Sequence, residues 1–453
     1  MTLKEPNLRF QPLLKSKVEV RPESILMRRR VVITGMGVVS PLGCDLETTW
    51  KAILRGESGI GVITLFDAFA FPCKIAAEVK GFDIKSFVND EKLLKFLNRG
   101  AQFGIGATQM AIADAGLPSG YYQSDRIGIS VGCSGSRPSL ESLALIYRAM
   151  ENSSGAILFP TVDPVSVIKW SHHSGASIIA LLINAQGPNN VVDTACSASS
   201  QAIGAALRMI QQGDADMVIT GGYDSMISEV DLIGFSLLGV LSTRNEEPQR
   251  ASRPFDRKRD GFVIGEGAAI MILEDLSHAL ARGAKIYAEL VGFGCSLNAY
   301  SIADSPLDGS GAVEAMERAL SDANLNPTDI HYINAHGTST PVNDRSETAA
   351  IKRVFGEYAY QLPISSTKSM TGHLIAAAGA LELTLCVLSL KEGIIPPTMN
   401  YEYKDPKCDL YYVPNKPPRA EVKVALSNSF AFGGSNNCLI VKRYEGTTDV
   451  HGV

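Results

Sequence analysis

The sequence has no long apolar run, no paired cysteines and no surplus of positive charge. Its most apolar stretches, such as Ile178 to Ile183, fall far short of the roughly 20 residues that span a bilayer, so no membrane helix is expected. The eight cysteines stand singly at positions 44, 73, 133, 196, 295, 386, 408 and 438, with no C-x-x-C pair and no framework spacing. That pattern argues against a disulfide scaffold and fits a reducing compartment, the cytoplasm. The net charge of −5 gives no global positive field to draw in nucleic acid or anionic lipid, so an acidic partner must be met by a local patch. Residues 1–29 carry both basic and acidic side chains and no apolar core, which speaks against a secretory signal and disfavours an organellar transit peptide. Met27 stands just before Arg28, Arg29 and Arg30, and residues 1–27 read as an N-terminal extension.

What is present is a chain of 453 residues, 45% hydrophobic and 20% charged, the balance of a globular protein with a large core. Length alone allows about three domains. An internal repeat overrides that prior. Residues 111–117 read AIADAGL, followed by a loop and an apolar run from Arg126 that breaks at glycine; residues 319–325 read ALSDANL, followed by a similar run from Asp329 to His336 and Gly337. Outward from there, Val31 to Gly37 pairs with Tyr287 to Gly294, Val191 to Cys196 with Val424 to Ser429, and Met217 to Gly222 with Cys438 to Lys442. The repeat predicts an α/β fold of two pseudo-symmetric halves, at 28–285 and 286–443, with a tail at 444–453. The surplus of the first half falls around 137–175 and 223–262. Apolar strands alternating with helices imply sheets covered on both faces.

Cys196 stands apart from the other cysteines. It ends the run Val191 to Ala195 and begins a helix-period segment in which Ile203, Ala206, Leu207 and Ile210 share a face. A helix N-terminus stabilises a thiolate and offers anion-binding N–H groups. By position alone Cys196 reads equally as a nucleophile or as a small buried hydrophobe. Two of the seven histidines, His336 and His373, lie in strand-to-glycine turns where other groups can approach closely. His172 and His173 are adjacent and cannot face one ligand, and no metal site is expected. The repeat pairs the Cys196 turn with Asn428 to Asn436, so a backbone N–H at Phe432 would complete an oxyanion hole with that of Cys196.

At these residues the sequence resembles the elongating β-ketoacyl-acyl-carrier-protein synthases. The resemblance runs from Val31 to Lys442, through Asp193-Thr-Ala-Cys196-Ser, Asn334-Ala-His336-Gly-Thr-Ser-Thr340, Ser366-Thr-Lys368-Ser-Met-Thr-Gly-His373 and Asn428-Ser-Phe-Ala-Phe432-Gly-Gly. It implies a thiolase-like fold with layers α-β-α-β-α, and a homodimer or a heterodimer with a chain-length-type subunit. It further implies an acyl carrier protein as partner, substrates carried on its phosphopantetheine, and no separate cofactor. Cys196 would be the acylated nucleophile, and His336 and His373 would hold the malonyl thioester carbonyl. Lys368 and Glu382 would orient His373, Thr338 and Thr340 would line the pantetheine channel, and Phe235 and Phe432 would border the acyl pocket, Phe432 as its gate. The implied activity is decarboxylative condensation in fatty acid elongation. A ketosynthase of a specialised polyketide or polyene pathway and a non-catalytic acyl-binding or dimer-partner subunit are the alternatives.

Three segments depart from the family pattern. Trp170 to Ser177 replaces a small-residue stretch near the acyl pocket, Ala431 stands where glycine is more usual, and the segment after Phe235 lacks a basic residue that helps dock the carrier protein. Lys92, Lys95 and Arg99 are the basic candidates left for that role, or simply a solvated helix face.

Overall fold

The computed structural model describes residues 28–152 and 163–446, so the extension at 1–27 and the tail beyond 446 lie outside the described residues. The chain opens with β1 (Val31–Val39) and a small antiparallel pair, β2 (Ile60–Val62) and β3 (Ile75–Ala77). Four strands join β1 in the first half: β4 (Ile127–Gly132), β5 (Asn189–Val192), β6 (Met217–Ser225) and β7 (Glu266–Asp275). The second half contributes β8 (Ala288–Leu297), β9 (Tyr332–Asn334), β10 (Ile364–Ser365), β11 (Val424–Phe430) and β12 (Ser435–Lys442).

The first half runs β5-β4-β6-β7-β1 across the sheet and the second β10-β9-β11-β12-β8, the same order once each set is counted from its own start. The parallel and antiparallel pairings also match: β4 lies parallel to β5 and β6 as β9 does to β10 and β11, and the remaining neighbours are antiparallel. The halves meet where β1 pairs with β8 through Val32 with Glu289 and Ile33 with Ala288. Every residue of β1 and β7 is buried, as strands covered on both faces must be.

Five helices build the layers. α1 (Arg99–Asp114) covers β1, β6 and β7 on the outside, and α3 (Ser310–Ala323) with α4 (Pro341–Phe355) covers the second half. Between the halves lie α2 (Ala198–Gln212) and α5 (Ala378–Glu392), each touching strands of both halves. The stack is therefore α-β-α-β-α. α5 is buried on every side from Ala378 to Leu390, which explains why its sequence is apolar all round instead of striped. Glu382 is its one carboxylate in that stretch.

The repeat holds, but two of its strand pairings slip by one. β5, leading to Cys196, corresponds to β10, and β6 corresponds to β11; the strands before Cys196 and Ser429 are neither equivalent nor side by side. The cause is the length of β10. Two residues leave no apolar run to read, so the sequence comparison passes over it to the next strand. The true counterpart of the Cys196 turn follows His373. Ala195 and Ile375 take the same left-handed φ, 48° and 47°, each opens a short 3₁₀ turn, and each turn leads into a central helix, α2 or α5. The insertion at 223–262 lies between β6 and β7, where the second half has only the turn between β11 and β12. The one at 137–175 lies between β4 and β5, and its residues 153–162 are outside the described residues.

Where the central helices cross β11, Ser200 and Ser429 share a hydrogen bond of 2.7 Å, and a Cβ on Gly379 would lie 2.0 Å from the Ser200 hydroxyl. Gly379→Ala is expected to destabilise the protein by about 1–3 kcal/mol through overpacking. Gly234→Ala, where a Cβ meets nothing within 4 Å, should change stability by less than about 0.5 kcal/mol. Equal unfolding midpoints for the two variants would contradict this packing.

Candidate active site

Cys196 sits in the 3₁₀ turn Ala195–Ser197 at the head of α2. The left-handed φ of Ala195 makes the turn sharp, and a strained non-glycine backbone of this kind persists only where its surroundings fix it. The thiol is buried. Burial pushes it up to about 12, while the Lys368 cation and a backbone N–H pull it down. On the free thiol, desolvation thus outweighs the favourable charges.

His336 follows β9. Both the His336 and Gly337 backbone N–H groups donate to the buried Glu347 carboxylate on α4, at 2.9 and 2.8 Å, and Asn428 donates to it at 3.2 Å. Gly337 has φ 38°, and a Cβ there would sit 2.5 Å from Ser366, so the turn requires glycine. His373 is pinned through its backbone, with its N–H on Val263 and its carbonyl accepting from Gly265, both at 2.8 Å. The two rings face each other edge to face with centroids 5.4 Å apart, against Phe430 and Phe262.

The hydrogen bonds set the tautomers. The Ile375 backbone N–H donates to His373 Nδ1 at 3.2 Å, so the ring proton of the neutral imidazole is on Nε2. That Nε2 is buried without a partner. Lys368 Nζ lies 3.4 Å from His336 Nδ1 and can only donate to it, which puts the His336 proton on Nε2 as well. Lys368, ion-paired with Glu382, therefore orients His336, where the expectation had named His373. Burial, then Lys368, hold both imidazoles well below their ordinary range, with His373 adding to the effect on His336. Burial pushes Glu382 up to about 7 against the pull of Lys368. The result is two neutral rings, each offering an N–H donor.

Two cavities meet at Cys196 and Phe432. The first, about 310 Å³, contains His336, His373, Thr338 and Thr340, whose hydroxyls bond each other at 2.9 Å. The second, about 400 Å³, contains Phe235 and Ile375 together with Arg137, His172 and Asp193. The Cys196 and Phe432 turns touch although their strands are not equivalent: Ser197 donates to Ser435 at 3.1 Å, and the Gly433 N–H is spent on Ile302 at 2.7 Å.

Sequence reasoning missed Glu347, the polar side of the second cavity and Asp224, which accepts from the Ala376 N–H at 3.1 Å. Only Asp193, three residues before the cysteine, carried a readable signal. His172 turns to Asp193 and His173 to Ser171, so the adjacent rings do part as expected. Of the basic candidates for docking, Arg99 is committed inward to the buried Glu266 at 2.6 Å, which leaves Lys92 and Lys95. No group of three or more His, Cys, Asp or Glu that could hold a metal is found among the described residues, and no described helix is long and apolar enough to cross a membrane.

Histidine ¹⁵N spectra of the full chain are expected to show two of its seven imidazoles still neutral and protonated on Nε2 at a pH where a free imidazole is already charged. Titration of every ring near 6.5 would contradict the geometry.

The chain is similar to known proteins over most of its length. Residues 28–279 match the β-ketoacyl synthase N-terminal domain, and residues 287–402 match the C-terminal domain. A 3-oxoacyl-[acyl-carrier-protein] synthase 2 from Synechocystis is 44% identical over 93% of this chain and 99% of its own length. The protein of that name from Coxiella burnetii is 43% identical over 92% and 99%. Among solved structures, the ishigamide ketosynthase/chain length factor superposes with TM-score 0.84 at 34% identity, covering 92% of this chain and all of the other. A type II polyketide acyl-carrier protein in complex with its ketosynthase bound to the hexaketide gives 0.82 at 34% with the same coverage. The chain, with a cysteine at a helix head facing two neutral imidazole donors, belongs to the β-ketoacyl synthase family of condensing enzymes.

Proposed function

We propose that the chain extends an acyl group carried on Cys196 with a decarboxylated malonyl unit, both substrates arriving on the phosphopantetheine of an acyl carrier protein. The observation that carries this is the pair of neutral imidazoles, each with its proton on Nε2, that line the cavity holding Cys196. In the first step the acyl group passes from the carrier thioester to Cys196 Sγ, and the thiol proton leaves with the carrier thiol. Because burial keeps the free thiol protonated, its proton must move as the new bond forms. Splitting transfer from condensation is covalent catalysis of ping-pong order.

Malonyl thioester then enters the first cavity past Thr338 and Thr340. Loss of carbon dioxide leaves an enolate, whose oxygen takes the two imidazole N–H bonds; such donors stabilise charge that exists only as the reaction proceeds. The enolate carbon attacks the acyl carbonyl on Cys196. The backbone amides of Cys196 and Phe432 receive its oxygen, and collapse expels the Cys196 thiolate, which regains a proton. Phe432, between the two cavities, acts as the gate, and Phe235 borders the acyl chain. These steps use side chains and amides of the chain itself and call for no separate cofactor.

The carrier protein as partner is supported by the solved ketosynthase complex, and a chain-length-type heterodimer by the ishigamide pair. A homodimer is the other assembly the reading allows, and a cytoplasmic location completes it. Fatty acid elongation is favoured by the curated relatives. A specialised polyketide pathway is the second reading, favoured by the polar lining of the second cavity.

Cys196→Ala is expected to abolish condensation and retain malonyl decarboxylation, measured as carbon dioxide release from malonyl-carrier thioester. His336→Ala and His373→Ala should each lower decarboxylation by roughly 10²- to 10³-fold while Cys196 still acylates. Condensation in Cys196→Ala, or unchanged decarboxylation in both histidine variants, would overturn the assignment.

A further inference from the structure

The cavity on the far side of Cys196 has one apolar wall and one polar wall. Met226, Phe235 and Ile375 form the first, and Arg137, His172 and Asp193 the second. The polar wall is built from two loops locked together. Ser136 N–H donates to the Trp170 carbonyl at 3.3 Å, and the Cys133 thiol donates to the His172 carbonyl at 3.1 Å. Gly135 has φ 68°, and a Cβ there would meet Trp170 O at 2.9 Å. The loop that ends at Arg137 is therefore seated on the loop that carries His172.

The charges on that wall are matched within the chain. Arg137 Nη1 donates to Asp231 at 2.6 Å, and Asp231 is buried and also takes the Ser228 hydroxyl at 2.6 Å. Nε2 of His172 donates to Asp193 at 3.0 Å, with both side chains about half exposed, and Asp193 Oδ1 accepts from Ala195 N–H at 3.4 Å in the cysteine turn. A guanidinium has five N–H donors, and among them the Asp231 bond takes one on Nη1 of this cavity-lining residue. Asp193 retains acceptor capacity. A saturated acyl chain would strip water from these groups and return no hydrogen bond, whereas a carboxylate would meet Asp193 and Asp231. A neutral hydroxyl or carbonyl oxygen suits both halves of the wall.

We infer that the acyl group carried on Cys196 bears hydroxyl or keto oxygens along its chain, and that Arg137 and the His172–Asp193 pair select for them. This rests on the proposed acyl transfer to Cys196 and names its substrate class, which is that of the second of the two pathway readings above. A site that hydrogen-bonds a substrate oxygen discriminates against the analogue without it more strongly than an apolar pocket discriminates against an added one.

The test measures Cys196 acylation by intact mass with the full chain and pantetheine thioesters of acetate, octanoate, and eight-carbon acids oxygenated at carbon 3, 5 or 7. At least one oxygenated chain is expected to react roughly tenfold faster than octanoyl. Arg137→Leu with Asp231→Leu, which removes both partners together, should erase that preference and leave acetyl transfer, too short to reach the wall, unchanged. His172→Leu on the same wall should lessen the preference in the same direction. Octanoyl reacting as fast as every oxygenated chain in the unmodified protein would overturn the inference, as would a preference that survives in a folded double variant. Absence of all acyl transfer, acetyl included, would instead overturn the functional reading on which it rests.

Discussion

A buried cation organises this site. Lys368 lies between the cysteine and histidine turns, ion-paired with Glu382 of the central helix and within 3.4 Å of His336 Nδ1. Its charge acts in one direction on each reacting group: it opposes protonation of both imidazoles and favours loss of the Cys196 proton. Carrying a charge into this interior is costly unless it is paired, and that need explains why an otherwise apolar central helix carries Glu382. The ion pair comes wholly from the second half, and the reactive cysteine from the first.

Pseudo-symmetry does the assembling. The turn that ends in Cys196 and the turn that carries His373 are the same structural device used twice, with a left-handed residue at Ala195 in one and Ile375 in the other. In the first copy the following position is the nucleophile. In the second it is Ala376, and the chemistry has moved upstream to His373, whose Nδ1 is capped by the Ile375 N–H of that same turn. Two copies of one backbone motif thus meet with different side chains at the point where the central helices start. The cavities on either side of Cys196 follow: one reached past Thr338 and Thr340, the other lined by the insertions particular to the first half.

How much of this could be read beforehand depended on whether a residue's role left a local trace. Cys196, His336 and His373 were legible because each stands in a turn of small residues, and the family resemblance joined them. The two αβ halves were legible because strand and helix periodicities recur in the same order twice, and the five-layer stack followed from the family resemblance. β10 was not, since two residues carry no periodicity, and its loss shifted the pairing of Cys196 onto the wrong turn. Glu347 was invisible for another reason. It lies among charged residues on α4 and reads as solvated, yet both its oxygens are spent on the His336 turn. Arg137 is visible only through its buried partner Asp231, 94 residues away.

The most direct test of the role given to Lys368 is the pH dependence of malonyl decarboxylation in the double variant Lys368→Met with Glu382→Leu. Replacing both members of a buried ion pair by apolar groups is often tolerated in folding, so activity can be read in an intact protein. Without the Nζ donor, His336 is free to exchange tautomers, and both rings lose one of the causes that oppose their protonation, burial remaining. The rate should fall by roughly 10²- to 10³-fold, and a profile that is flat in the unmodified enzyme should acquire an acid limb as the pH falls. A folded double variant with the unmodified rate and a flat profile would contradict the account.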